Sequence, residues 1–137
     1  MAVIKAPGTG FDRRIGKVLS GWSHVVQSLD TLWSTQFGER VMREDYSGIV
    51  PHMLGRNMIP ATVLRFKMAI WLATELWEPR FKITSITPLD VNRNGHLRLA
   101  VDGIYRPRAH LGDFTPEGGQ RLIFGPTSDL TYRASAT

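Results

Sequence analysis

Apolar residues in the first third of the chain recur at steps of three and four: Trp22, Val25, Val26, Leu29, Leu32 and Trp33. That spacing puts them on one face of a helix. Ser20 or Ser23 is placed to cap its start, and Gly38 to end it in the left-handed conformation. A second helix is predicted from Pro60 to about Trp77, because proline at the first helical position lacks only a donor that is unpaired there anyway. Its pattern differs from the first. Val63, Leu64, Phe66, Met68, Ala69, Ile70, Trp71, Leu72, Ala73, Leu76 and Trp77 wrap most of the circumference, leaving Thr62, Arg65, Thr74 and Glu75 as a narrow polar strip. A helix apolar nearly all round is buried on more than one side, and in a domain this small one side is open to a partner.

Pro79 cannot continue that helix and biases Glu78 toward an extended conformation, so the pattern changes to strand at the stretch WEPR. Phe81 and Ile83 alternate with Lys82 and Thr84, and the phase slips near Ser85 and Ile86, as a bulge or the Pro88 bend would make it. Asn94-Gly95 suits the positive backbone angles of a tight hairpin turn. On the return strand Leu97, Leu99, Val101, Gly103 and Tyr105 face one side. His96, Arg98, Ala100, Asp102 and Arg106 face the other, giving one half-buried and one wet face. Beyond Pro107 the chain is rich in Gly, Pro and polar residues, with one more short strand at Arg121 to Phe124 and a frayed end. The segment Gly38 to Gly48 reads as an ordered turn, and Ile49 to Ile59 as a loop with apolar anchors. Together these predict an α+β fold: two main helices packed on a small antiparallel hairpin or sheet. The expected division is an N-terminal arm over residues 1–20, a core over 21–107 and a C-terminal extension over 108–137.

Composition narrows the chemistry. At 137 residues with 42% hydrophobic content, a single domain can build a core. Cysteine is absent, which excludes disulfides, thiolate metal sites and a cysteine nucleophile. No signal sequence or membrane span is expected, so the protein is read as soluble. The net charge of +5 is spread over 17 Lys and Arg among 12 Asp and Glu, a distribution that argues against nucleic-acid binding. His24, His52, His96 and His110 fall in separate segments without ligand spacing, so no metal and no cofactor is expected. The glycines of GTG and EGGQ lack the strand-to-helix context of a phosphate loop and read as turns.

Carboxylates are the serious enzyme candidates, since a glycosidase needs one protonated and one ionised carboxyl group across a cleft. Glu39, Glu44, Asp45, Glu75 and Glu78 could supply a pair. Nearly all lie beside an Arg, and a neighbouring cation favours the ionised form, which is wrong for a general acid. Ion pairs that pin turns explain them better. Glu78 and Arg80, straddling Pro79, can lock the helix exit to the strand entry or to the GER turn. The hairpin suggests a function without catalysis. Its edges carry unpaired backbone groups to which an extended arm of another protein can add, unless Arg121 to Phe124 covers one of them.

Three pieces in order resemble one family: QSLDTLWSTQFGERVMREDYSG closing a helix, an apolar helix ending in WEPR, and the hairpin FKITSITPLDVNRNGHLRLAVDGIYRP. They are similar to the baseplate wedge proteins of contractile phage tails, a family that includes baseplate protein W and has relatives in type VI secretion and other contractile injection systems. The resemblance covers about Trp22 to Pro107. It implies a fold akin to the linking part of the sheath subunit and a place in the virion, in the inner baseplate around the tail tube, in six copies. It also implies that the protein initiates the sheath. The hairpin, through Phe81, Ile83, Leu97, Leu99, Val101 and Tyr105, would accept arms of the tail sheath protein. Glu78, Pro79 and Arg80 would form the joint that meets other wedge proteins, with Gly38, Glu39 and Arg40 as the turn beside it. The family has also carried the label lysozyme-like. Because the carboxylates are paired with arginines and strand addition needs no catalytic residue, a peptidoglycan hydrolase stands as the alternative, and a nucleic-acid module as a weaker one.

Overall fold

A computed structural model of the chain describes residues 8–92, 95–126 and 132–136, the last of these by backbone alone. Strands β1 (Thr9–Phe11) and β2 (Val18–Ser20) form an antiparallel hairpin, followed by helix α1 (Trp22–Ser34) and, after a long turn, helix α2 (Pro60–Trp77). Strands β3 (Phe81–Val91), β4 (Leu97–Tyr105), β5 (Gly118–Pro126) and β6 (Tyr132–Ala136) then build one antiparallel sheet in sequential order. This is the expected α+β fold. The helices touch each other across one face of the sheet, α1 against β6 and α2 against β3. Between the layers lie Leu29, Trp33, Phe66 and Ile70 from the helices and Leu97, Leu99, Leu122 and Phe124 from the strands. The opposite face is wet, and there Asp102 and Arg121 form a bidentate cross-strand pair at 2.6 and 3.2 Å.

Both ends of α1 differ from expectation. Neither Ser20 nor Ser23 caps it. Gly21 is the N-cap, with φ 62° and ψ −136°, a conformation that only glycine takes without strain. The helix closes at Ser34 rather than at Gly38, because Thr35 turns extended while its N–H and hydroxyl both donate to the Thr31 carbonyl, at 3.0 and 2.6 Å. One carbonyl of the last turn thus takes two donors without a glycine. In α2 the predicted polar strip does not exist. Thr62 and Thr74 turn inward, while Arg65 and Glu75 are exposed. Thr74 tolerates burial because its hydroxyl donates to the Ile70 carbonyl at 2.8 Å and accepts the Trp33 indole N–H at 3.0 Å.

The hairpin register shifts twice, between Ile83 and Ser85 and between Pro88 and Asp90, near where the sequence phase slips. Its connection is wider than a two-residue turn. The last cross-strand pair is Val91 with Leu97, and Gly95, at φ 86°, carries a positive angle; Asn94 lies outside the described residues. Ala100, expected on the wet face, is buried, since it sits between β3 and β5 opposite Thr87 and Ile123 and a methyl group is overhung by such neighbours.

The larger correction concerns the two ends of the chain. The N-terminal arm contains the β1–β2 hairpin, so the glycine of GTG at Gly10 lies in a strand. The expected short strand at Arg121 to Phe124 is nine residues long and pairs with β4 from Leu99 to Tyr105, with the EGGQ glycines inside it. The expected boundary at residue 107 therefore falls in the connection between two neighbouring strands of one sheet. Gly118 and Gly119 pack no side chain and read as a turn, whereas their pairing with Tyr105 and Ile104 is made by backbone.

Candidate functional site

The WEPR joint is a buried ion pair. The Arg80 guanidinium donates Nε–H to Glu78 Oε1 at 2.6 Å and Nη2–H to Glu78 Oε2 at 2.9 Å, and the two residues are 9% and 3% exposed. Pro79 makes this geometry: it stops α2 and brings residues two apart to one side of a tight turn, closed by the Phe81 N–H bonded to the Glu78 carbonyl at 3.2 Å. The Arg80 carbonyl accepts from Arg106 N–H at 2.7 Å, which ties the entry of β3 to the exit of β4. Of the two locks open to the sequence, the structure takes the one between helix exit and strand entry. It adds a third member that no sequence pattern signalled: Arg80 Nη1 lies 3.0 Å from His24 Nδ1 on the first turn of α1. Both oxygens of Glu78 are engaged by one guanidinium, and the carboxylate is buried with it.

His24 ties the N-terminal hairpin to this joint. A Cβ on Gly10 would stand 2.5 Å from His24 Nε2, so the imidazole takes the space a side chain would need and only glycine fits there. Burial, and then the charge of Arg80, hold the His24 imidazole below its ordinary value of 6.5, with Glu78 and a Gly8 backbone hydrogen bond opposing. In the window below 6.5 the unfolded chain therefore binds more protons than the folded one. This contribution to stability is full above 6.5 and is lost as the pH falls through that value toward the lowered one. Urea unfolding should give a smaller free energy at pH 5 than at pH 7. A His24→Gln variant should lose part of that difference, and an unchanged difference would assign it to other groups.

The turn carrying Gly38, Glu39 and Arg40 does not join the Glu78–Arg80 pair. Glu39 Oε2 accepts the Gln36 N–H at 2.8 Å, and Gly38, at φ 80°, donates to the Glu44 carbonyl at 3.1 Å. The turn reaches the end of α2 by stacking: the Arg40 guanidinium sits 4.3 Å from the Tyr46 ring centre, and Tyr46 packs on Trp77 at 5.2 Å. Burial pushes the Tyr46 hydroxyl up, while Arg40 draws it back.

Beside the joint lies the surface anticipated from the apolar circumference of α2. Its inner face holds Phe66, Ala69, Ile70 and Ala73, and its outer face exposes Leu64, Met68, Trp71, Leu72 and Leu76. A groove of about 470 Å³ runs there, lined by Phe37, Ile49, Met68, Trp71, Leu72 and Leu76. The same helix face borders β3: Lys67, Met68 and Trp71 line a second groove with Ile83, Ser85 and Ile86. β3 ends the sheet, with no strand beyond it among the described residues. Phe81 and Ile83 belong to this edge strand, with buried side chains. Leu97, Leu99, Val101 and Tyr105 lie on β4, paired on both sides by β3 and β5, and their side chains fill the core. They hold the sheet together and present no free edge.

Among the described residues no helix is long and apolar enough to cross a membrane. Nor do any three His, Asp or Glu side chains gather there as metal ligands would. The fold thus sets side by side a buried charged joint, an exposed apolar groove and a strand edge without a further partner among the described residues. Comparison with known proteins gives the family. The chain is 35% identical over 78 residues to baseplate protein W of Escherichia phage P2, spanning 57% of this chain and 68% of that relative. It belongs to the baseplate protein W family, the baseplate wedge proteins of contractile tails. No family model matches the chain. A chain of the pyocin R2 baseplate, solved after contraction, superposes with a TM-score of 0.64 at 26% identity, covering 72% of this chain and 98% of that one. A chain of the sixfold-symmetrised anti-feeding prophage baseplate gives 0.57 at 26% identity, over 68% of this chain and 76% of that one. A Geobacter sulfurreducens protein described as a tail lysozyme gives 0.58 at 26% identity, over 80% of this chain and 93% of that one. The protein is a baseplate subunit of a contractile tail.

Proposed function

We propose that this subunit is structural and non-catalytic, and that it starts sheath assembly by accepting extended arms of the tail sheath protein on the free edge of β3. The observation that carries this reading is the position of β3 at the end of the sheet, paired with β4 on one side and with no strand on the other among the described residues, beside an exposed groove. Unpaired edge groups give an arm its backbone hydrogen bonds, and the groove gives alternate side chains a place to bury. The edge is also guarded. Pro88 lacks an N–H, and register shifts lie between Ile83 and Ser85 and beside Pro88, so an arm pairs over short stretches rather than along the whole strand. Other wedge proteins dock on the outer face of α2 and on the turn at Gly38, Glu39 and Arg40. The pair Glu78 and Arg80, with Pro79, orients the hairpin from within. Six copies surround the tail tube.

Hydrogen exchange tests strand addition. With purified sheath protein added, amides of β3 should slow by about tenfold or more, while those of β4, already paired, stay unchanged. Unaltered β3 exchange under saturating sheath protein would remove the edge from the mechanism. Replacing Leu72, which is 54% exposed, by Lys should leave the unfolding free energy within about 0.5 kcal/mol. The same change should abolish co-purification with wedge partners, and intact co-purification would move their docking off α2.

The tail-lysozyme description of one structural neighbour favours a second reading, a peptidoglycan hydrolase using Glu78 or Glu39. Against it stand the Glu78 carboxylate, with both oxygens bound to Arg80, and Glu39, bonded to the backbone of Gln36. Clearing of peptidoglycan by the purified protein, abolished in Glu78→Gln with the fold intact, would reverse the preference.

A further inference from the structure

The N-terminal hairpin and the turn after α1 are both exposed, and the turn carries carboxylates that could meet the hairpin's cations. On the hairpin, Phe11 and Val18 are cross-strand partners and are 69% and 64% exposed, with Ile15 exposed at the tip. Asp12 accepts the backbone N–H of Arg14 at 2.7 Å and of Ile15 at 3.3 Å, and Arg13 is drawn to Asp30 and Thr31 on α1. Arg14 and Lys17 remain exposed, with no ion pair among the described residues.

On the turn, Arg40 and Arg43 fold over Tyr46, and Glu39 bonds to Gln36. Glu44 and Asp45 are left exposed and without an ion pair among the described residues. Between the charges stand Val41 and Met42, 89% and 94% exposed, with Phe37 beside them. Met42 has φ 64°, a left-handed angle that is unfavourable for a residue with a long side chain. The turn holds two apolar groups in water at a conformational cost, and neither is buried within the single chain.

We infer that the hairpin of one copy docks on the turn of a second copy of this chain. Phe11, Ile15 and Val18 meet Phe37, Val41 and Met42, and Arg14 and Lys17 pair with Glu44 and Asp45. Hairpin on hairpin would set Arg14 and Lys17 against the same cations, whereas the turn offers them Glu44 and Asp45, so the contact joins unlike patches. Six apolar side chains make a patch below the roughly 1,000 Å² of a stable complex, so free chains associate weakly. Copies held side by side in a baseplate gain from high effective concentration. The contact deepens the six-copy reading above and rests on it.

The absence of native cysteine makes the test clean. Full-length Val18→Cys and Met42→Cys chains, mixed under mild oxidation at low salt, should form the mixed disulfide dimer about tenfold faster than Val18→Cys with Leu111→Cys, an exposed control position. Arg14→Glu with Lys17→Glu on the first chain should abolish the excess, and Glu44→Lys with Asp45→Lys on the second should restore it. A rate equal to the control, or no restoration by the swapped charges, overturns the inference. If cross-linking fails while sheath protein still protects β3, this contact alone falls. If cross-linking succeeds and β3 is unprotected, strand addition falls instead.

Discussion

Replacing Arg80 by alanine is expected to lower the unfolding free energy by about 3–5 kcal/mol, because it leaves the Glu78 carboxylate buried without its partner. The pair itself need not stabilise the fold that much. Desolvating two charges costs about as much as their attraction returns, so the penalty comes from orphaning one of them. The double replacement Glu78→Leu with Arg80→Met removes both charges and should recover most of the loss. Urea melts of the two variants measure this, and a cost below about 1 kcal/mol for Arg80→Ala would mean that the pair is hydrated in solution. The result bears on function. Sheath initiation lost in Arg80→Ala would reflect a misplaced hairpin as readily as a missing contact, so only the double variant separates the two. If it folds with wild-type stability and still fails to assemble, the charges act at an interface. If it assembles, they act by setting the angle between α2 and β3.

A second large effect is expected at Phe124. Its side chain is 1% exposed and meets Trp33 edge-on, with ring centres 5.7 Å apart. Phe124→Ala removes this contact and opens a cavity between α1 and the sheet, for a loss of about 3–5 kcal/mol. The same substitution at Phe114, a 59% exposed residue on the connection between β4 and β5, should cost less than about 0.5 kcal/mol. Denaturation midpoints decide between the two. Equal, small effects would show that residues beyond 107 are an appendage and that the core closes without β5.

The contrast between these sites marks what can be read along a chain. α2 was legible because Pro60 and Pro79 bracket a long apolar run, and its outer face because too many positions were apolar for one side to bury. The hairpin was legible from alternation, and the register shift in β3 from the slip of phase near Ser85. The fastening role of Glu78 and Arg80 followed from opposite charges straddling a proline, since that proximity is local. The ends of α1 were misread because Thr35 and Gly21, rather than Gly38 and a serine, satisfy its terminal groups. β5 was read as four residues instead of nine because Gly118 and Gly119 join the sheet through backbone alone.

By itself, then, the sequence determined the two helices, the hairpin, the α+β class and the family, all of which rest on short-range periodicity and on motifs contiguous in the chain. Tertiary structure decided the rest. It placed His24, 56 residues from Arg80, against the guanidinium. It covered β4 on both sides, left β3 as the edge beside the apolar face of α2, and turned Thr62 and Thr74 inward while Leu72 faced water. These are relations between segments far apart in the chain. They are settled by which surfaces pack together and which backbone groups find partners, and no local pattern of residues encodes either.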